Sequence, residues 1–223
     1  MGYVVNKSTC YLHIPKTGGN WIKNLLINSG TKEIRTNKIS KHATYDLLVG
    51  ASSNRIFSRL SLNKINFFCV VRHPLLWYQS WFNYQHQEAW KDWGQSGTLH
   101  YRKWHCLSPL NMPKQDDFNE FIKIINQTSP GFLTYLYHSF TLPSGARVLK
   151  NESLRDDLLN LNKEWNLGIK ENLIISSDRI NVSKKSDISW TAKNVVETLQ
   201  NESAIFEKYD YKKDPESIIK ISG

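Results

Sequence analysis

The sequence predicts an α/β fold, a central parallel sheet flanked by helices. Three observations carry that expectation. Residues 10–26 run from an apolar segment through Pro15 and Gly18-Gly19 into a helical repeat, which reads as strand, turn and helix in succession. Residues 66–87 repeat the arrangement. Asn66-Phe-Phe-Cys-Val-Val is a continuous β-forming run of the kind buried on both faces, and Arg72-His73-Pro74 ends it ahead of a second helical segment. Strand–helix units in series of this kind suit parallel strands with helices covering the sheet. The chain has 223 residues, 40% hydrophobic and 22% charged, with no low-complexity tract or internal repeat, so a single domain with a substantial core is expected.

Taken in order, Trp21, Ile22, Leu25 and Leu26 fall on one face of the first helix. Glu33-Ile-Arg suggests a short strand. Residues 40–48 suggest a helix capped by Ser40 or Thr44. A strand over 66–71 and a helix over 75–87 follow, with Trp77 and Trp81 expected in the core. From about 88 to 113 the periodicity dissolves into an aromatic-rich insertion containing Trp90, Trp93, Tyr101 and Trp104. Its length suggests function, and its tryptophans argue against disorder. Helices are expected over 117–126 and 132–140, a strand over 146–149, and a helix to about 162 capped by Ser153. Leu173-Ile-Ile reads as a short strand or extended piece, 179–185 as a basic loop, and 190–209 as one long helix.

Composition narrows the partners. The formal net charge of +9, from 29 Lys and Arg against 20 Asp and Glu, calls for an anionic partner. The basic residues are scattered, with only short pairs such as Lys184-Lys185 and Lys212-Lys213. That distribution favours an anionic cofactor or an acidic glycan over nucleic acid. The longest purely apolar run, residues 67–71, is too short for a membrane span, and the first residues lack the pattern of a secretion signal. Asn6 stands where myristoylation after Met1-Gly2 needs Ser or Thr. Cys10, Cys69 and Cys106 form no CxxC, and the first two fall in expected buried strands, so a reduced, cytoplasmic protein is expected.

The turn Lys16-Thr17-Gly18-Gly19 is the candidate site. It precedes a helix, whose N-terminus offers backbone N–H groups and the positive end of the dipole to a phosphate or sulfate. Lys16 adds a full positive charge. An ordinary strand–helix turn could carry the same glycines. The order also differs from the Walker A loop, in which Lys follows the glycines, and no Gly-Lys-Ser/Thr occurs in the chain.

The whole string His13-Ile14-Pro15-Lys16-Thr17-Gly18-Gly19 resembles the 5′-phosphosulfate loop of sulfotransferases that use 3′-phosphoadenosine 5′-phosphosulfate (PAPS). It is most similar to the carbohydrate branch that includes the heparan sulfate 2-O-sulfotransferases. The resemblance implies a three-layer, P-loop-like fold and a cofactor with two anionic ends, hence a second anion site. Arg72, at the end of the buried strand where ligands of α/β sheets collect, and Ser80, eight residues on, resemble the family's 3′-phosphate motif. A guanidinium fork with a hydroxyl suits a phosphate. Lys41-His42-Ala-Thr44-Tyr resembles the family's Lys-His-x-Thr segment. Asp117-Phe-Asn-Glu-Phe and Glu152-Ser-Leu-Arg-Asp-Asp-Leu resemble its later helices, and Asn181-Val-Ser183-Lys184-Lys185 its basic loop over the nucleotide. The implied cofactor contacts are Lys16, Thr17, Gly18, Gly19, Asn20, Trp21, Arg72, Ser80, Ser183, Lys184 and Lys185.

The implied reaction is in-line transfer of a sulfuryl group to a hydroxyl acceptor, a carbohydrate on this resemblance. Positioning and electrostatics do most of the work, with Lys16 and the turn's N–H groups stabilising the oxygen that leaves. The sulfuryl group carries one negative charge, so no metal is expected. His42 is the candidate general base, its ordinary pKa of about 6.5 suiting the task. His13, His86 and Glu88 are alternatives, and Asp46 could orient the His42 ring. The aromatic segment 81–105 suits a sugar ring, and equally a phenol or a lipid. Two other readings compete. A small nucleotide-dependent kinase is disfavoured by the missing Gly-Lys-Ser/Thr and by the lack of an Asp placed for Mg²⁺. A non-catalytic basic glycan-binding module would need no matched pair of anion motifs.

Overall fold

The computed structural model describes residues 2–6, 8–30, 44, 65–88, 107–111, 114–141, 145–178 and 188–222. In chain order the elements are β1 (Gly2–Asn6), β2 (Thr9–Leu12), α1 (Gly19–Asn28), β3 (Asn66–Val71), α2 (Pro74–Gln87), α3 (Phe118–Thr128) and α4 (Phe132–Thr141). There follow β4 (Arg147–Lys150), α5 (Leu154–Trp165), α6 (Glu171–Ser176), β5 (Trp190–Thr191), α7 (Ala192–Asn201), α8 (Ser203–Lys208) and β6 (Ile221–Ser222). They fall into two compact units, Met1–Arg72 with His138–Val182, and His73–Tyr137 with Ser183–Gly223.

The first unit is α/β, built on a mostly parallel four-stranded sheet in the order β1-β2-β3-β4. β2, β3 and β4 run parallel, with Leu12 beside Cys69 and Val71 beside Lys150, so their C-terminal ends lie along one edge. The unbroken apolar runs of β2 and β3 have the expected consequence: Cys10 to Leu12 and Phe67 to Val71 are buried whichever way their side chains point. On one face Tyr11, Phe68, Val70 and Leu149 pack with Trp21, Ile22, Leu25 and Leu26 of α1, Leu154, Leu158 and Leu161 of α5, and Ile174 of α6. The four α1 residues are those that the helical spacing singles out.

β1, absent from the sequence expectation, adds an antiparallel edge to β2. Asn6 builds the intervening turn by accepting from the Ser8 backbone N–H at 2.9 Å and its hydroxyl at 3.1 Å. Residues 173–175 correct another expectation, because they are helical and belong to α6. The Arg155 guanidinium, reaching from α5, donates to the carbonyls of Ile174, Ile175 and Ser177 and so satisfies the acceptors a short helix leaves open at its C-terminus.

The second unit is mainly helical. Trp77 and Trp81 of α2 are buried in the core and stack at 5.7 Å, as the sequence suggests. Phe118 of α3 meets Phe82 and Trp190 edge-on. Asn119 and Asn126 of α3 form a polar seam with Asn194, Thr198 and Asn201 of α7. The expectation of a single helix over 190–209 fails at both its start and its middle. Trp190 and Thr191 form β5, paired with β6, and the Thr191 hydroxyl caps α7. At Glu202 the backbone leaves helical geometry (φ −103°, ψ 14°), and the side chain turns to the N-terminus of α4, accepting from Leu133 N–H at 3.0 Å and Thr134 N–H at 2.8 Å. Within the aromatic-rich insertion, a 3₁₀ turn at Ser108–Asn111 is flanked by buried Leu107 and includes buried Leu110. Most of that insertion, the elements expected over 33–35 and 40–48 apart from buried Thr44, and the loop 179–185 lie outside the described residues.

Candidate functional site

The turn between β2 and α1 sits at the C-terminal edge of the sheet, where open α/β sheets collect ligands. Two residues there adopt left-handed backbone geometry: Lys16 at φ 64° and Gly18 at φ 90°. For a lysine this conformation is uncommon and is held by its surroundings. The Thr17 hydroxyl donates to Ile14 O at 2.9 Å, closing the turn on itself. The carbonyls of Lys16, Thr17 and Gly18 are also claimed by the protein. Lys16 O accepts from Arg72 Nη1 at 3.5 Å, Thr17 O from Asn151 Nδ2 at 3.0 Å, and Gly18 O from Trp21 N–H at 3.0 Å.

These contacts fix where the amide protons point. In a planar trans peptide the N–H lies opposite the C=O, and no cis bond occurs among the described residues. The N–H groups of Thr17, Gly18 and Gly19 are therefore turned away from Arg72, Asn151 and the body of α1, respectively. N–H groups at a helix start favour an anion; of this turn Lys16 and Gly18 are half-buried, whereas Thr17 and Gly19 are buried.

The glycines are required on the inner side of the turn. A Cβ on Gly19 would stand 2.0 Å from His13 Cδ2 and 2.7 Å from the Tyr11 hydroxyl, and one on Gly18 would stand 2.7 Å from Asn151 Nδ2. Gly18-Gly19 thus lets α1 start in direct contact with buried side chains. His13 is buried and stacked on Tyr11, with ring centres 5.9 Å apart, so it supports the turn from beneath.

Lys16, Thr17, Gly18, Gly19, Asn20 and Arg72 come together in the first unit. The Trp21 side chain is buried there, its indole N–H donating to the Ser177 hydroxyl at 2.9 Å, and its backbone N–H is engaged with Gly18 O. Ser80 is buried on α2 in the second unit. His42, Asp46, Ser183, Lys184 and Lys185 lie outside the described residues. Of the alternative bases, His86 and Glu88 are exposed at the end of α2, with His86 Nε2 3.9 Å from Asp116. Asn151, whose side chain holds Thr17 O, is the residue at this turn that sequence reading missed. Its signal is positional, since it follows the last residue of a parallel strand.

Among the described residues no group of three or more His, Cys, Asp or Glu is arranged to hold a metal ion, and no helix is long and apolar enough to cross a membrane. No protein-family model, curated protein or solved structure matches the chain.

Proposed function

We propose that this protein is a PAPS-dependent sulfotransferase, cytoplasmic and of the three-layer P-loop-like type, which sulfates a hydroxyl on a carbohydrate. The observation that carries the reading is the turn at Lys16 to Gly19, in which the carbonyls of Lys16, Thr17 and Gly18 are each bonded by the protein, in a string that resembles the family's 5′-phosphosulfate loop.

Bound PAPS supplies a sulfuryl group already activated by its link to phosphate. The N–H groups of Thr17, Gly18 and Gly19 hold the 5′ end, with Asn20 and Trp21 beside them at the helix start. The family resemblance assigns the 3′-phosphate to Arg72 and Ser80, and the nucleotide to Ser183, Lys184 and Lys185 as well. His42 accepts the proton of the acceptor hydroxyl as its oxygen bonds to sulfur and the sulfur–oxygen bond to the nucleotide phosphate breaks. Lys16 neutralises the charge left on that oxygen, the product being 3′-phosphoadenosine 5′-phosphate.

A thermal-shift titration with 3′-phosphoadenosine 5′-phosphate and with ADP tests this. A ligand specific for the folded state, at about a hundred times its Kd, stabilises by roughly 2.7 kcal/mol. The expected result is stabilisation by the 3′-phosphorylated nucleotide alone, lost in Arg72→Ala. An equal response to ADP, or none to either, rejects the reading. His42→Ala should keep nucleotide affinity and lose turnover, and retained turnover rejects His42 as base.

A further inference from the structure

We infer that Asn151 is the positioning residue of the anion turn: by holding Thr17 O it selects the peptide orientation that presents Gly18 N–H to the bound anion. The inference rests on the anion-binding part of the function proposed above and is independent of which nucleotide binds.

Asn151 is itself anchored. Its backbone N–H donates to Val71 O at 2.8 Å, continuing the β3–β4 ladder, and its carbonyl accepts from Leu154 N–H at 3.4 Å at the start of α5. From that fixed point the carboxamide reaches Thr17 O at 3.0 Å, and only its NH₂ group can donate to a carbonyl. The partners are 134 residues apart in sequence, so the contact brings the β4–α5 junction to the β2–α1 turn.

The need for such a grip follows from Gly18. A peptide flips when the ψ of one residue and the φ of the next rotate together, and glycine occupies positive and negative φ almost equally well. The Thr17–Gly18 peptide is therefore intrinsically able to turn over. The flipped form would present Thr17 O, a partial negative charge, where the unflipped form presents an N–H. Gly18 N–H helps to bind an anion only while its peptide is held in one sense, and the Asn151 carboxamide holds it there. The same side chain packs where a Gly18 Cβ would be, so the turn is braced by contact as well as by the hydrogen bond.

The test uses the full chain, inorganic pyrophosphate as probe, and amide NMR spectra. In the wild type, the amide resonances of Thr17, Gly18 and Gly19 should move most on titration. Asn151→Ala should weaken pyrophosphate at least tenfold and shift the Gly18 amide before any ligand is added. Should that variant not fold, Asn151→Ser, whose hydroxyl is too short to reach Thr17 O, should show the same loss. Leu154→Val removes packing beside the same glycine and leaves the hydrogen bond, so it should lower Tm while keeping affinity within twofold. An Asn151 variant that binds as tightly as wild type overturns the positioning role and leaves the anion site standing. Pyrophosphate binding that moves none of the turn amides overturns both. Loss of binding in the variant, with no preference for 3′-phosphoadenosine 5′-phosphate over ADP in the wild type, supports Asn151 and rejects the sulfotransferase.

Discussion

The Tyr78 hydroxyl donates a 2.7 Å hydrogen bond to the Glu202 carboxyl group, and both residues are almost completely buried. The same carboxyl group accepts from Leu133 N–H, Thr134 N–H and, at 2.7 Å, the Thr134 hydroxyl. Glu202 thus satisfies donors at the start of α4 that a helix cannot satisfy itself. Tyr78→Phe is expected to cost about 1–3 kcal/mol. Glu202→Ala strands all four donors and should cost on the order of 4 kcal/mol or more. Urea midpoints at constant m-value check both, and a Glu202→Ala loss below that of Tyr78→Phe would sink the assignment.

Three glycines separate backbone strain from crowding. Gly30, at φ 85° with nothing near its missing Cβ, should lose only about 1 kcal/mol on substitution by Ala. Gly19 faces the His13 ring at 2.0 Å, and that ring is clamped by its stack on Tyr11, so Gly19→Ala should cost about 3 kcal/mol or more. Gly18→Ala combines a positive φ of 90° with the Asn151 contact and should weaken anion binding as well as stability. Denaturation of the three variants side by side tests the ranking.

Much of this core was legible in the sequence, because residues 10–26 and 66–87 signal their structure locally, by unbroken apolar runs, Pro15, Pro74 and helical spacing. What was missed depends on distant side chains. Leu173-Ile-Ile is β-branched enough to resemble a strand, and it is helical because Arg155 satisfies the end of α6. The break at Glu202 serves α4, about seventy residues earlier. Ser153 does stand at the N-cap of α5, as its sequence position suggests, although its hydroxyl donates locally to Asp157 at 3.0 Å rather than making a cap bond. The site was half legible on the same terms. Lys16 to Gly19 stand out as a motif, whereas Asn151 becomes visible only once β4 is paired with β3.

Alkaline pH should destabilise the fold through two buried acids. Burial pushes the Cys10 thiol from 9.0 up to about 12, and burial, followed by the charge of Glu202, holds the Tyr78 phenol well above its ordinary 10.0. In both, the native state keeps a proton that the unfolded chain releases first. Their contribution is therefore complete below pH 9 and falls as pH rises from there. For Cys10 the span from 9.0 to about 12 corresponds to roughly 4 kcal/mol. Urea midpoints at pH 8, 10 and 11 should decline, less steeply in Cys10→Ala, and an equal slope in that variant rejects the account.

Lys16 should trade stability against chemistry. Its φ of 64° costs a side-chain-bearing residue about 1 kcal/mol that glycine does not incur. Lys16→Gly should accordingly raise Tm while cutting the proposed sulfuryl transfer by about a hundredfold or more. Lys16→Ala should lose transfer to a similar degree without the gain in Tm. Melting curves beside initial rates give the answer, and a Lys16→Gly protein that keeps its rate would remove Lys16 from the chemistry.

The seam between α3 and α7 joins Asn119 to Asn194, which are 75 residues apart, while the intervening chain contributes to the other unit. During synthesis at about 5–20 residues per second, α3 therefore waits roughly 4–15 s for the helix that pairs with its asparagines. Only the second unit waits in this way, because the first takes no chain beyond Val182. Over that interval a nascent chain displays Phe118, Phe121, Ile122 and Ile125, the residues that α3 buries in the finished fold, and so has a defined window for chaperone capture.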